Sequence, residues 1–510
     1  MHINDLPAEV LRYILSHLSP YGDLPNCKLV CKYWYESVAA TLDAQATKFR
    51  ASLRTANVQW FYYNPQQAPR ISPRYSHSCC LHSNLMYIFG GCTAGKTTFN
   101  DLWTFDLFSR QWIRPIASGT YPPPKACCSM IPYHKQLILF GGWTHASANR
   151  IHDSWKLFNH VHTFNTETKK WTLLETRNGC PPTSGHSASI HRDQMIVFGG
   201  LRATEDTSYQ YSPSNEVWVL DLLSNQWRKQ ETSSLQPEAR YGHSQMVIDD
   251  HVIILGGCGG PNNILNDMWL LNLQGDVWQW SPINIECDST EFPGLGFNPV
   301  CKVDQMLVLL GKVPGSRTSP TLSSSHYLRM VSQRSQENPS SKNLNQPSAS
   351  NSSSSSSSSI PSAGPSDSRV VGGRKLEPNI LSPTCSTNNL NLNRHLARPN
   401  HLVIRESLPL SSMPKVEANR VMRKFVCSSY SNETLSLYTI DISQMIIDKK
   451  VKYVPQGRHV PGPNELMLYT LVKGNSELIM FGGIHKENVP VNGPHISDTV
   501  YILTSKKAVI

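Results

Sequence analysis

The chain has 510 residues, more than one ordinary domain of about 100 to 200 residues holds, so at least two units are expected. With 39% hydrophobic and 16% charged residues, 12 Trp and 35 Pro, the composition fits a globular chain with many turns and excludes a collagen-like or wholly disordered one. There is no run of about 18 apolar residues. Asn4, Asp5 and Glu9 also stand where a secretory signal would be basic and then apolar, so the expectation is a soluble protein of the cytoplasm, the nucleus or both. The 13 Cys are sparse and odd in number and read as reduced. No CxxC pairing suggests zinc, and buried small-hydrophobe roles fit them better.

Residues 2–48 have a helical pattern. Val10, Leu11, Ile14, Leu15 and Leu18 lie on one face of a helix whose first turn holds Pro7 and Glu9. Two shorter helical stretches follow, around Leu24 to Val30 and from Cys31 to Leu42, with Leu29, Val30, Trp34 and Val38 apolar. So small a helical unit cannot build a sufficient core, and its exposed apolar face is expected to dock on a partner.

From residue 57 onward the chain repeats itself. An apolar run ending in Gly-Gly occurs at Gly90-Gly91, Gly141-Gly142, Gly199-Gly200, Gly256-Gly257 and Gly482-Gly483, with a degenerate copy at Gly311-Lys312. The first glycines are 51, 58, 57, 55 and then 171 residues apart. Each Gly-Gly precedes a second pattern, such as Asn100-Asp101-Leu-Trp103 then Trp112, or Asn215-Glu216-Val-Trp218 then Trp227. In the fourth unit this reads Asn266-Asp267-Met-Trp269 then Trp278, and in the fifth no Trp stands at the matching place near Ile447. A polar cue leads each unit, as in Arg74-Tyr75-Ser-His77 and Arg240-Tyr241-Gly-His243, with Cys127 where other units have His. Four short strand signals in about 50 residues make a propeller blade. The last unit lacks a fourth strand, and Val58-Gln-Trp60, 14 residues before Arg74 where Trp227 is 13 before Arg240, is expected to supply it and close the ring.

The long interval contains a 112-residue stretch, Val313 to Lys424, and removing it leaves 59 residues, one period. This stretch has 27 Ser, 11 Pro and one aromatic residue, and its 14 Lys+Arg against 5 Asp+Glu carry +9 of the chain's net +10. It reads as a disordered insert in blade five, and because the basic charge sits there, nucleic acid is disfavoured as a partner. The insert is either a spacer or a regulatory tether with candidate phosphorylation sites at Ser319-Pro320 and Ser382-Pro383.

The repeat resembles the Kelch repeat, and the N-terminal pattern, Leu6-Pro7-x-Glu9-Val10 with Ile14 and Leu18, then Leu29-Val30-Cys31-Lys32-x-Trp34, resembles an F-box. The fold class expected is mainly β, a six-bladed Kelch propeller over 57–312 and 425–510 behind a small three-helix F-box. The resemblance implies a substrate-recognition subunit of a Skp1-cullin-F-box ubiquitin ligase. Leu6, Pro7, Glu9, Val10, Ile14, Leu18, Leu29, Val30 and Trp34 would contact Skp1, cullin-1 would join through Skp1, and the propeller would hold a protein substrate. Candidate substrate contacts are Arg74, Tyr75, Lys125, Arg240 and Tyr241 before the first strands, and Trp143, His145 and Arg202 after the Gly-Gly pairs, two loop sets that strand alternation puts on one face. A Kelch scaffold or cytoskeletal protein would explain the ring but not the helical segment. A propeller enzyme would need a catalytic constellation, and no Walker A, HExxH or GxSxG signature occurs, so no cofactor is expected.

Overall fold

The computed structural model describes residues 3–63, 69–93, 97–145, 156–204, 207–260, 263–287, 292, 295–311, 423–424, 434–455, 462–485 and 496–506. The expected insert lies outside the described residues except for Arg423–Lys424. No helix among the described residues is long and apolar enough to cross a membrane.

Three helices open the chain: α1 (Ala8–Leu15), α2 (Asp23–Cys27) and α3 (Lys32–Arg54). The sequence pattern ended the third helix near Leu42, whereas α3 continues through the expected boundary at 48. Alanines, the strongest helix formers, recur along it, and no Gly or Pro interrupts it. Its far end is held by packing, with Phe49 and Leu53, one turn apart, buried with Val58, Trp60 and Leu503 in a core of the ring.

Six blades follow, each with four antiparallel strands, and those of blades four and five are joined into one eight-stranded sheet by parallel pairing of Asn284–Cys287 with Lys450–Tyr453. Blade one is Ser78–His82, Leu85–Phe89, Leu102–Asp106 and Gln111–Ile113. Blade two is Ser129–Tyr133, Gln136–Phe140, Val161–Asn165 and Lys170–Leu174. Blade three is Ser187–His191, Gln194–Phe198, Val217–Asp221 and Gln226–Gln230, and blade four is Ser244–Ile248, His251–Leu255, Met268–Asn272 and Gln279–Cys287. Blade five is Val300–Val303, Met306–Gly311, Ser436–Asp441 and Lys450–Pro455. Blade six takes Thr470–Lys473, Glu477–Phe481 and Val500–Ser505 from the end of the chain and Val58–Tyr63 from its beginning, in register from Val58 opposite Ser505 to Tyr63 opposite Val500. The second strand of each blade is apolar on both faces because it packs against the blades on either side, as Leu137 to Phe140 show with no residue above 1% exposure.

The strand registers correct two sequence readings. In blade four the residue opposite Leu271, where Trp112, Trp171 and Trp227 sit in their blades, is Trp280 rather than Trp278. The turn before it is two residues longer. In blade five Tyr453 takes that place, opposite Ile440, because a short helix, α4 (Met445–Asp448), occupies the turn around Ile447 and moves the aromatic residue onto the following strand. Tyr453 is buried and stacked on Tyr438, with ring centroids 5.5 Å apart.

Two sets of backbone hydrogen bonds join the blades. The second glycine's N–H donates to the carbonyl of the residue that leads the next blade: Gly91 to Lys125, Gly142 to Thr183, Gly200 to Arg240, Gly257 to Leu295 and Gly483 to Arg74. Neither glycine of a pair has room for a side chain: a Cβ on the second, Gly91, would stand 2.8 Å from the Tyr75 carbonyl oxygen. A Cβ on Gly90, whose φ is +67°, would stand 2.3 Å from the Lys125 carbonyl oxygen. Nearer the axis, the N–H groups of Ser76, Cys127, Gly185, Gly242 and Phe297 donate to Leu468, Ser76, Cys127, Gly185 and Gly242 in turn. All six of these residues have positive φ, although only two are glycine. This register makes Cys128, not Cys127, the blade-two counterpart of His77, His186 and His243.

Candidate functional site

The helical segment has a core of only four buried residues, Leu11, Leu15, Leu24 and Val38, with Leu18, Tyr33, Trp34 and Leu42 packed partly against it. The remaining apolar side chains face outward. Val10 and Ile14 are more than two-fifths exposed, Val30 is 59% and Leu29 84% exposed, and Pro7 and Glu9 are also exposed. Leu6 is half-buried, its carbonyl accepting a 3.1 Å hydrogen bond from the Tyr33 hydroxyl. Of the nine residues expected to meet Skp1, Leu18 and Trp34 thus belong mainly to the small core. The motif also missed Tyr13 and Tyr35, both more than half exposed. The spacing of Tyr13 from Val10, on the same helix face, was the available signal.

The segment sits on the face formed by the turns after the first and third strands. Arg50 pairs with Asp304 of blade five at 3.1 Å, and Asn84 of blade one donates to the Tyr21 carbonyl at 2.7 Å. The loops before the first strands and after the Gly-Gly pairs share the opposite face, where Tyr75 bridges to Cys92, Ala126 to Trp143, Ser184 to Leu201 and Tyr241 to Cys258.

Of the eight side chains expected on that loop face, six are buried: Arg74, Tyr75, Lys125, Trp143, Arg240 and Tyr241. They cannot serve there as surface contacts. Arg74 folds back to the Gly90 carbonyl and forms a two-pronged pair with Asp101 at 2.7 and 3.0 Å, and Arg240 does the same with Gly256 and Asp267 at 2.6 and 2.8 Å. Each acid also accepts from an indole, Trp103 at 2.8 Å and Trp269 at 2.7 Å. Burial pushes both carboxyls up, but the paired Arg and the indole outweigh it and hold them below the usual carboxylate range. Trp143, Tyr75 and Tyr241 share one apolar cluster under the loops. Arg202 and His145 are partly exposed. Arg202 pairs with Glu216, which also meets Lys229 and accepts from Trp218, so that despite burial its pKa falls to about 2. The His145 N–H donates to the Thr98 hydroxyl at 3.1 Å.

A cavity of about 310 Å³ runs along the axis, lined by Ser76, His77, Cys128, His186, His243 and Tyr469 among others. The histidines latch neighbouring blades: His77 to Thr470 at 3.0 Å, His186 to Ser129 at 3.0 Å and His243 to Ser187 at 2.5 Å. Burial, reinforced by nearby cations, lowers His77 and His186 to about 3. They stay neutral and act as struts. Among the described residues, no group of three His, Cys, Asp or Glu side chains forms a metal site.

Residues 3–42 match the family described as F-box-like, and residues 74–280 match the family described as FBX42, beta-propeller domain. Kelch domain-containing protein 3 of Bos taurus is 29% identical over 266 residues, covering 50% of this chain and 64% of that protein. The Leucine-zipper-like transcriptional regulator 1 homolog of Drosophila melanogaster is 27% identical over 255 residues, 48% of this chain and 25% of that protein. Host cell factor homolog hcf-1 of Caenorhabditis elegans is 26% identical over 277 residues, 50% of this chain and 34% of that protein. The chain thus spans less than two thirds of each of these relatives.

Proposed function

We propose that this chain, an F-box and Kelch-repeat protein, is the substrate-recognition subunit of a Skp1-cullin-F-box ubiquitin ligase. Its helical segment binds Skp1, and through it cullin-1, while the propeller holds a protein substrate. The observation that carries this reading is the exposure of Val10, Ile14, Leu29 and Val30 around a core of four residues. So much uncovered apolar surface on a unit this small fits a segment completed by a partner. The receptor does no chemistry of its own. It raises the effective concentration of the substrate near the charged conjugating enzyme, turning a bimolecular encounter into a local one.

The test is co-purification of Skp1 and cullin-1 with the full chain carrying Val10→Asp and Ile14→Asp together. Both positions are exposed, so the melting temperature should stay within the range of a surface change, about 0.5 kcal/mol per site. Skp1 and cullin-1 should both be lost. Retention of Skp1 by the doubly substituted chain would overturn the assignment.

A further inference from the structure

Blade two breaks a pattern that three other blades keep. On the loop face, blades one and four hold Arg74 against Asp101 and Arg240 against Asp267. Blade three, with Thr183 at the Arg position, brings Arg202 to Glu216 instead. Each acid sits immediately before the third strand. In blade two the cation is Lys125, but the strand begins at Val161, which puts His160 at the acid's place and His162 at that of the indole. Lys125 is completely buried, and its ammonium has no hydrogen-bond partner among the described residues. It rests on the Phe158 ring, 4.7 Å from the centroid, just as Arg74 lies 4.2 Å above Phe99. Lys156 approaches the same ring at 5.8 Å, and both Lys156 and His160 are exposed.

We infer that this end of blade two is a site for an oxyanion, a carboxylate or phosphate on a bound protein segment, which supplies the acid that His160 replaces before the third strand. Lys156 and His160 would meet the anion, and Lys125 would supply positive charge from beneath. An unpaired ammonium in the interior is costly, and a counter-charge brought by a ligand offsets that cost. Burial lowers Lys125 to about 8, so it is still mainly charged at pH 7. His162 is lowered to about 4 by burial and by the charges of Lys125 and His160, consistent with a cluster that is positive and holds no acid among the described residues. The inference rests on the reading of the loop face as a protein-binding surface.

The experiment measures the melting temperature of the full chain against inorganic phosphate and, separately, acetate, with chloride at matched ionic strength as reference. One or both anions should raise it beyond chloride, and which one does so separates a phosphorylated from an acidic segment. His160→Asp installs the missing acid. It should raise the melting temperature without added anion and increase the half-effective anion concentration about tenfold or more. Lys125→Met should abolish the anion response. Asp153 is an acid in the stretch 146–155, outside the described residues. An anion response that appears only in Asp153→Asn would mean that the chain supplies its own acid and would overturn the proposal, as would a His160→Asp chain with unchanged melting and unchanged response. Skp1 co-purification with the same variants tells the failure of this site from the failure of the ligase reading.

Discussion

Tyr21, in the turn between α1 and α2, donates a 2.5 Å hydrogen bond to Glu477 at the far end of the chain, in blade six. Arg110 of blade one holds the other carboxylate oxygen at 2.9 Å, and the Asn475 N–H donates to the Tyr21 oxygen at 2.8 Å. Gly22 lies flat on the Phe108 ring, where a Cβ would stand 2.6 Å away. With α3 running on into the ring, this contact seats the helical segment at a second point. The helical segment is thereby held at a fixed angle to the opposite, loop face of the ring.

Tyr21→Phe should therefore weaken this seat without disturbing the outward apolar face. Loss of the hydroxyl leaves a buried carboxylate oxygen and the Asn475 N–H each short of a partner, at a cost of about 1–3 kcal/mol. The expected outcome is a lower melting temperature and faster hydrogen exchange at Asn475, with Skp1 capture unchanged. Burial, with Glu477 adding to it, raises the Tyr21 pKa far above its usual value, so the contact keeps its proton throughout the accessible alkaline range.

Arg240→Ala gives the opposite of what an interface residue would give. The guanidinium is buried and bound at both ends to Asp267, so its removal leaves a carboxylate without its main partner. With 38% of the Asp267 side chain in solvent, breaking the pair costs about 1–3 kcal/mol, less than a fully buried pair would. Unfolding in urea should shift by that amount, and a variant that keeps wild-type stability while losing a binding partner would show the pair to be dispensable to the fold.

The difference between these arginines and the residues read correctly shows what a one-dimensional repeat conveys. Gly-Gly and the motif Trp are legible because they recur at a fixed period and meet steep demands, a close backbone approach and a wide apolar gap, the latter filled in blade five by Tyr453. Arg and Tyr before the first strand are ambiguous, since the same side chains serve interfaces and buried bidentate pairs. The signal that resolves them is pairwise: Arg74 and Asp101 are 27 residues apart, as are Arg240 and Asp267, and blade three loses the Arg at that position. Trp278, though buried in the same cluster, was misread as the indole opposite Leu271 because a turn two residues longer moves the register, which spacing alone does not show. The end of α3 was illegible for another reason. Beyond Leu42 its apolar residues face the ring, not the helical unit, so the local pattern looked finished.

The axial histidines predict acid sensitivity. His77 and His186 have folded-state pKa values near 3, below the value of about 6.5 expected unfolded, because burial penalises their charged form. The unfolded chain therefore binds more protons between pH 3 and 6.5, and stability falls as pH drops through that window. Each histidine contributes up to about 1.4 kcal/mol per pH unit below 6.5. His186→Gln, which can keep a hydrogen bond to Ser129, should flatten the dependence of stability on pH between 6 and 4. An unchanged slope would place the sensitivity elsewhere.

The last prediction concerns the join at blade five. Gly311 and Ser436 are opposed partners in neighbouring strands, and such residues have Cα atoms about 4.5–5.5 Å apart. Whatever lies between them starts and ends at one point on the loop face, and a short turn can span that gap. Arg423–Lys424 adds antiparallel to Phe61 and Tyr62 on the outer edge of blade six, so this one piece of the intervening chain also touches the ring. Replacing 313–422 with a short Gly/Ser linker, and keeping 423–433, should leave the melting temperature unchanged. Replacing 313–433 should remove the edge pairing as well and speed hydrogen exchange at Phe61 and Tyr62, still without unfolding the ring, because Val58–Tyr63 remains paired with Val500–Ser505 along its inner side. A ring that melts early in the first variant would show that the intervening chain carries part of the fold. Equal exchange in the two variants would show that the edge contact contributes nothing.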